Sequence, residues 1–201
     1  VNPDPARIDG VLLPFNVQEA RGAVQRVLKG AARTRPVTLA QATLQDGQRL
    51  LAFNDLFIGA KSHVSARYQL STTGGTEHQS SSGVLVSTGA GSTGWLSSVV
   101  NMASGLASFL GDTAPPPWKL ALRWEDRQLV WAVREPFLSK GSQISQVAGR
   151  LRDAEQLVIE SQMPADGVIF SDGVEQDFLQ FNSGTIATIG IADHMAKLVV
   201  K

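Results

Sequence analysis

The stretch SSGVLVSTGAGSTGW, residues 81–95, decides the fold of this chain, because three kinds of local structure meet in it. The apolar run 84–86 predicts a short buried strand. The glycine-rich run 87–94 predicts a tight connection, and apolar residues at helical spacing follow it directly. These apolar residues are Trp95, Val99, Met102, Leu106 and Phe109. The chain is therefore expected to pass from a strand through a loop into the N-terminus of a helix.

The glycine-rich loop has the features of a ligand cradle. A helix N-terminus presents unpaired N–H groups and a partial positive charge. Gly89, Gly91 and Gly94 would let the backbone approach a ligand, and Ser92 and Thr93 add hydroxyls. One interpretation of the loop is therefore a cradle for a phosphate or a ribose. The alternative is a capped strand-to-helix connection that touches no ligand. Neither a Walker A loop, a Rossmann fingerprint nor a G-x-S-x-G nucleophile motif fits the spacing.

A polar pair interrupts the apolar run 50–58, which otherwise predicts one strand buried on both faces. The pair is Asn54 and Asp55. Burying an amide and a carboxylate costs free energy unless both groups are hydrogen-bonded. The pair therefore indicates either a strand end with local hydrogen bonds or two side chains directed at ligand hydroxyls. We favour the second interpretation.

The beginning of the chain predicts one helix after an extended segment. Three prolines break residues 1–15. Asn16 and Glu19 then have the spacing of a capping box, in front of apolar residues at helical spacing. This pattern predicts a helix over 17–29.

The remaining residues predict strands separated by turns at 46–47, 74–75 and 172–173, each of which contains glycine. The predicted strands are 37–44, 50–58, 63–70, 84–86, 118–124, 128–133, 156–161, 168–171, 178–181, 185–191 and 197–200. We expect a mainly β fold of two packed sheets with two helices. It would form a single domain, with 1–35 as a linker segment plus helix and 36–201 as the β sandwich.

Composition excludes several classes of function. The chain has 201 residues, with 18 Lys and Arg against 18 Asp and Glu, and it contains no Cys. Balanced charge argues against a nucleic-acid or polybasic membrane partner, and the absence of Cys excludes disulfides and zinc–thiolate sites. His63, His78 and His194 lack metal-ligand spacing, so we predict no metal-ligating residues. We expect a cytoplasmic protein without a membrane span.

The two polar features together resemble the NAD kinase family. In that family an Asn-Glu pair closes a strand, here Asn54-Asp55, and a Ser-Thr-Pro-Thr-Gly-Ser-Thr-Ala-Tyr stretch opens a helix, here 87–95. Residues 1–15 are similar to the segment that joins the family's two domains, and 170–173 to its late Asp-Gly turn. The resemblance covers most of the chain. It implies the fold of the C-terminal β domain of an NAD kinase-like two-domain protein.

Several positions differ from the usual family pattern, and the combination looks most like the mitochondrial-type branch and its bacterial relatives. The replacements are Asp55 for Glu, Ser82 for the Asp before the glycine, Gly89 for Pro, Gly94 for Ala and Trp95 for Tyr.

The resemblance implies a phosphotransferase that uses ATP and Mg²⁺ to phosphorylate the 2′-hydroxyl of the adenosine ribose of NAD, giving NADP. It gives Asn54 and Asp55 the ribose hydroxyls and places Ser92 near phosphate. The residues that it implies for the dinucleotide pocket are Ser82, Thr93, Gly94, Trp95 and Ser98. It also implies a homodimer or homotetramer.

The general base of the family is the Asp of a Gly-Gly-Asp-Gly motif in an N-terminal α/β domain, and this chain has no such motif. We therefore predict that the chain holds no catalytic residue and has no NAD kinase activity alone. Two other hypotheses stay open. One is a relative of lipid or sphingoid-base kinases, which would need a deep apolar pocket. The other is a non-catalytic binding or assembly module.

Overall fold

The computed structural model describes residues 1–111, 120 and 122–201 of the chain. Within these residues the helices are α1 (Val17–Leu28) and α2 (Trp95–Phe109), and a short 3-10 turn covers Gly91–Thr93. The strands are β1 (Thr34–Leu44), β2 (Arg49–Ala52), β3 (Asp55–Ala60), β4 (Ala66–Thr72), β5 (Gly75–Ser81), β6 (Val84–Ser87), β7 (Gln128–Val133), β8 (Ala148–Arg152), β9 (Leu157–Ser161), β10 (Gly167–Ser171), β11 (Phe178–Gln180) and β12 (Ile186–Val199).

The strands form two six-stranded antiparallel sheets with the main core between them. The first sheet has the order β2-β1-β12-β9-β4-β5, and the second has the order β11-β10-β3-β6-β7-β8. Side chains alternate between the two faces of each strand. In β3, Leu56 and Ile58 are fully buried in the core between the sheets, whereas Asp55 and Phe57 lie on the outer face of the second sheet. The predicted mainly β fold of two packed sheets with two helices is confirmed.

The first helix begins where the sequence predicts it. The side chain of Asn16 accepts a hydrogen bond from the Glu19 N–H at 2.9 Å, and the Glu19 carboxylate accepts one from the Asn16 N–H at 2.9 Å. This reciprocal capping box satisfies two N–H groups that a helix start leaves free. The Lys201 ammonium lies 2.8 Å from Glu19, so the end of the chain is joined to this cap.

The second helix packs on the outer face of the second sheet through its first turns. Trp95 and Val99 pack with Leu96, which is 1% exposed, against side chains of β6 and β7. The apolar positions further along do not reach this face: Leu106 is 55% exposed and Phe109 is 84% exposed. The helical period predicted the helix correctly, but only its first half is covered by the described residues.

Three strand predictions, those over 50–58, 185–191 and 197–200, are wrong. The run 50–58 is two strands, because the chain leaves the first sheet after Ala52 and enters the second sheet at Asp55. The runs 185–191 and 197–200 are one strand, β12, which pairs with β1 across an irregularity between Thr38 and Ala40. The strand predicted over 118–124 lies partly outside the described residues, and its described part forms no strand.

Strand β5 shows why sequence pattern missed part of the first sheet. Its inward positions are polar rather than apolar. The Tyr68 hydroxyl, buried in the core, lies 3.2 Å from the Gln79 side-chain oxygen and 2.7 Å from the Ser81 hydroxyl. Because these polar groups satisfy one another, the strand is buried without the apolar alternation that sequence reading requires. Strand β8 was missed as well. Neither of the two helices is long and apolar enough to span a membrane, as far as the described residues show.

Candidate functional site

The point at which the chain changes sheets forms one wall of the candidate site. Phe53 and Asn54 lie between β2 and β3, and the glycine-rich loop is tied to them. The Thr88 hydroxyl donates to the Phe53 carbonyl at 2.6 Å, and the Thr88 N–H donates to the Asn54 carbonyl at 2.9 Å. The two polar features that the sequence singled out separately are therefore joined in the structure.

The segment 53–55, in which the chain crosses from the first sheet to the second, is called the crossing. The turn after β10 contacts the side of the crossing opposite to the glycine-rich loop. The Asp172 carboxylate accepts hydrogen bonds from three consecutive backbone N–H groups, those of Phe53 at 2.9 Å, Asn54 at 2.6 Å and Asp55 at 3.1 Å. The Asp172 N–H in turn donates to the Asp55 carbonyl at 2.9 Å. Asp172 has a φ of 54°, a left-handed conformation that Asp and Asn adopt more readily than most residues.

Two side-chain oxygens at the crossing are buried without a hydrogen-bond partner among the described residues. They are Asn54 Oδ1 and Asp55 Oδ1. Leaving a buried acceptor unsatisfied costs about 1–3 kcal/mol. Two neighbouring acceptors in this state indicate a place that is completed by hydrogen-bond donors from a ligand.

A cavity of about 400 Å³ opens beside these oxygens. Its lining comes from the N-terminal segment, the crossing and the glycine-rich loop. The residues are Gly10, Val11, Leu12, Leu13, Asn54, Asp55, Ala90, Gly91, Thr93 and Gly94. The cavity is therefore mostly backbone and apolar side chain, with polar acceptors at one place.

Asp55 is electrostatically unusual for a carboxylic acid near a surface. Burial raises the pKa of Asp55 to about 6, and the neighbouring negative charge of Asp172 adds to the rise. The neighbouring Ser87 hydroxyl acts on this pKa in the opposite direction. Perturbed acids of this kind are common at functional sites.

Glycine is required in the loop at the point of closest approach. A Cβ atom on Gly91 would lie 2.6 Å from the Asn54 carbonyl carbon and 2.7 Å from Asp55 Oδ1. Real Cβ atoms are not found at such distances, so any side chain here would displace the polar pair. The loop is also held internally, because the Ser92 hydroxyl donates to the Gly89 carbonyl at 2.8 Å.

A second cavity of about 400 Å³ lies on the same outer face of the second sheet. Its floor is aromatic: Trp95 stacks on Phe57 with ring centroids 5.5 Å apart and planes at 10°, and Phe170 lies 4.9 Å from Phe57. The Arg134 guanidinium lies 5.1 Å from the Trp95 ring centroid. Other lining residues include Lys61, His63, Ser82 and Glu175. This cavity combines flat apolar surface with several basic groups.

The eight residues predicted for the site are distributed unequally. Asn54, Asp55, Thr93 and Gly94 border the first cavity, and Ser82 and Trp95 border the second. The remaining two line neither cavity: Ser92 is buried and hydrogen-bonded within the loop, and Ser98 is exposed on α2.

Sequence reading missed other residues of the site. Gly91 was noted only as part of the loop, and Asp172 only as part of a turn. The signal for Asp172 was present, because an Asp-Gly pair directly after an apolar strand marks a turn whose carboxylate is free to bind backbone N–H groups. Phe57 and Arg134 carried no such signal. Within the described residues no group of three or more His, Asp or Glu side chains is arranged to hold a metal ion.

Comparison with known proteins gives a relationship of fold. The sequence matches no model of a protein family and no curated protein. Among solved structures, the fold is similar to that of yeast NADH kinase complexed with NADH, with a TM-score of 0.66 and 16% sequence identity. The similarity covers 94% of this chain and 50% of that chain, so this chain spans about half the length of the yeast enzyme. At this identity the likeness shows the fold alone.

Proposed function

We propose that this chain is the NAD-binding part of an NAD kinase, and that Asn54 and Asp55 hold the adenosine ribose whose 2′-hydroxyl receives phosphate. The observation that carries this proposal is the pair of buried, unpartnered oxygens, Asn54 Oδ1 and Asp55 Oδ1. Two neighbouring acceptors without donors match the two hydroxyl donors of a ribose diol. The fold similarity to yeast NADH kinase and the sequence resemblance to the NAD kinase family support the same ligand.

The chemistry of the pair suits this role. A hydroxyl donates one hydrogen bond, so a diol can satisfy both oxygens at once. Bonds to an ionised acceptor are stronger than neutral ones, and partial burial of Asp55 strengthens them further. Phosphoryl transfer depends chiefly on holding the acceptor oxygen in place and neutralising charge. The pair would orient the ribose, while the general base belongs to the second domain of the family.

The second cavity would receive another part of the dinucleotide. Asp55 and Phe57 lie on the same face of β3, about 7 Å apart along the strand, which is within the span of a dinucleotide. Trp95 offers a flat ring for stacking, and Lys61 and Arg134 offer positive charge near the phosphates. In this proposal Ser82, Thr93 and Gly94 contact NAD, and Ser92 supports the loop. Ser98 would contact NAD only in a longer pocket.

The other parts of the proposal come from the resemblance. ATP is the phosphoryl donor, and Mg²⁺ would be held by its phosphates, because the described residues offer no cluster of carboxylates for it. The chain belongs to a cytoplasmic homodimer or homotetramer and to the mitochondrial-type branch of the family. A sphingoid base would need a deep apolar pocket, whereas the cavity at Asn54 is bordered by the polar pair Asn54 and Asp55, so we do not adopt the lipid-kinase hypothesis.

Calorimetric titration of the folded chain with NAD tests the proposal. We expect NAD to bind the wild type and Asp55→Asn to weaken binding about ten- to hundred-fold, because a charged hydrogen bond is lost. Asp193→Asn is the matched control, since Asp193 is an exposed acid on β12, and it should bind NAD like the wild type. Equal affinity of the Asp55→Asn variant would remove Asp55 from the site.

An activity measurement separates the proposal from a non-catalytic module. The chain alone should form no NADP from NAD and ATP, since loss of a general base typically costs about 10²–10⁴-fold. NADP formation should appear when the chain is part of the two-domain protein. A two-domain protein that binds NAD and forms no NADP would instead support the binding-module hypothesis.

A further inference from the structure

Asp172 makes an unusual set of contacts at the crossing between the sheets. In an extended strand, successive N–H groups point to opposite sides. Three successive N–H groups that converge on one carboxylate, from Phe53 to Asp55, therefore require a bent backbone of the kind that binds anions. In this molecule the anion is the side-chain carboxylate of Asp172.

We propose that Asp172 is a positioning residue for the ligand diol: by clamping these three N–H groups it fixes the direction in which Asn54 and Asp55 present their unpartnered oxygens. The inference rests on the proposed function, because the diol is the ligand of that same site. Asp172 need not touch the ligand, and it does not line the cavity beside Asn54 and Asp55.

The geometry explains why a clamp is needed at this place. The Phe53 and Asn54 N–H groups lie between β2 and β3, outside the paired registers of both strands. On the opposite side, Thr88 holds only the carbonyls of the same two residues. The glycine-rich loop thus binds the carbonyl groups of residues 53 and 54, and Asp172 binds the N–H groups of residues 53–55. Removing Asp172 would leave the donor side to water and free the pair to rotate.

The conformation of Asp172 makes clean variants possible. Its φ of 54° is one that Asn adopts more readily than most residues and that Gly adopts without strain. Asp172→Asn keeps one acceptor oxygen and removes the charge, and Asp172→Gly removes the clamp completely. Because Asp172 lies at the surface, neither change opens the core. Asp177→Asn is the matched control, since Asp177 is an exposed acid of the same connection and its side chain makes no hydrogen bond or ion pair among the described residues.

The experiment measures selectivity for a diol rather than affinity alone. Dissociation constants for adenosine and for 2′,3′-dideoxyadenosine are determined with the wild type and each variant, and exchange of the amide hydrogens of 53–55 is followed by NMR. We expect the wild type to prefer adenosine by about ten-fold or more, because the diol supplies the missing donors. Asp172→Gly should bring this preference close to one and accelerate exchange at the three amides. Asp177→Asn should change neither.

The outcomes separate the inference from the proposed function. A general loss of stability would weaken both nucleosides alike, and that result would overturn a positioning role. Faster amide exchange with an unchanged adenosine preference would overturn it as well. A wild type without any preference would refute the diol site itself, and the inference with it. If Asp172→Gly does not fold, Asp172→Asn decides by the same preference, for which we expect an intermediate loss.

Discussion

Two largely buried carboxylates differ in their hydrogen bonding and in the direction of their pKa shift. They are Glu77 on the first sheet and Asp55 on the second. Glu77 is 7% exposed, yet its carboxylate accepts hydrogen bonds from the Gln79 side-chain amide at 2.9 Å and the Gln146 N–H at 3.1 Å. Burial raises the pKa of Glu77, but these bonds outweigh it, and the pKa lies below its usual value. Burial raises the pKa of Asp55 to about 6, and one of its oxygens has no hydrogen-bond partner among the residues that the structure describes.

The difference is the one expected between a structural acid and the ligand-binding acid that we propose at Asp55. Glu77 is satisfied by its own chain, and it joins β5 to the segment before β8. Asp55 is held in place through its backbone, while its side chain is left incomplete. An unsatisfied buried acid destabilises a fold, and natural proteins usually keep such a group at a functional site. Four substitutions test this contrast, beginning with the largest expected effect.

Replacing Glu77 should destabilise the protein most. Glu77→Ala leaves the donors of Gln79 and Gln146 without their acceptor, and each buried unsatisfied group costs about 1–3 kcal/mol. We expect a loss of about 3 kcal/mol in the free energy of unfolding, measured by urea denaturation, with NAD affinity unchanged. Glu160→Ala, on a half-exposed position of β9, is the control and should cost much less. A stable Glu77→Ala variant would contradict the structural role.

Closing the space over Asp55 should disturb both stability and binding. In Gly91→Ala the new Cβ would lie 2.7 Å from Asp55 Oδ1, so the loop or the pair has to shift. Overpacking of this kind costs about 1–3 kcal/mol. We expect NAD binding to fall below detection in calorimetry, together with a lower melting temperature. Gly105→Ala on α2 has open space around its Cβ and should show neither effect.

Removing the charge of Asp55 should stabilise the protein, whereas the two preceding substitutions should destabilise it. The folded pKa of Asp55, about 6, lies above the ordinary aspartate pKa of 3.8, so the wild type loses stability as pH rises through this interval. Asp55→Asn has no such loss. Relative to the wild type, the variant should gain about 2–3 kcal/mol between pH 4 and pH 7.5, as measured by denaturant melts at both pH values. A difference between the two proteins that does not change with pH would show that Asp55 titrates normally.

Trimming Trp95 should produce the smallest change. Trp95→Phe keeps a ring against Phe57 but reduces the flat surface facing the second cavity. Stacking on a base is worth about 1–3 kcal/mol, so partial loss should weaken NAD binding several-fold with a small change in melting temperature. Trp131→Phe makes the same change in the core between the sheets. It should lower the melting temperature and leave NAD affinity unchanged. A lower melting temperature with unchanged NAD affinity would make Trp95 a packing residue only.

Local sequence signals predicted much of this molecule. Asn16 and Glu19 marked the first helix within a residue of its end, and the glycine-rich loop marked the start of the second. Asn54 and Asp55 stood out because polar residues in an apolar run need partners. Among the described residues, the buried side-chain oxygens without a hydrogen-bond partner are those of this pair.

The parts that the sequence did not predict depend on distant partners. The change of sheet at Phe53 follows from pairing of β3 with β10 and β6; the polar pair beside Phe53 indicates a strand end at most, and not a change of sheet. The polar inward positions of β5 are hydrogen-bonded by Tyr68 on the neighbouring strand and by Gln146, 67 residues from Gln79. The clamp from Asp172 joins residues 118 positions apart in the case of Asn54. Patterns of a few residues hold no information about such contacts.

The separation of Asp55 and Asp172 in the sequence is also a separation in time, because the ribosome synthesises Asp55 first. Asp55 precedes Asp172 by 117 residues. At about 5–20 residues per second, the crossing segment would exist for roughly 6 to 23 seconds before its anion is synthesised. A nascent chain stalled before residue 172 should thus contain the Asn54–Asp55 sequence without the conformation that we propose for binding a diol. The proposed selectivity for a diol would then appear only after Asp172 has been synthesised.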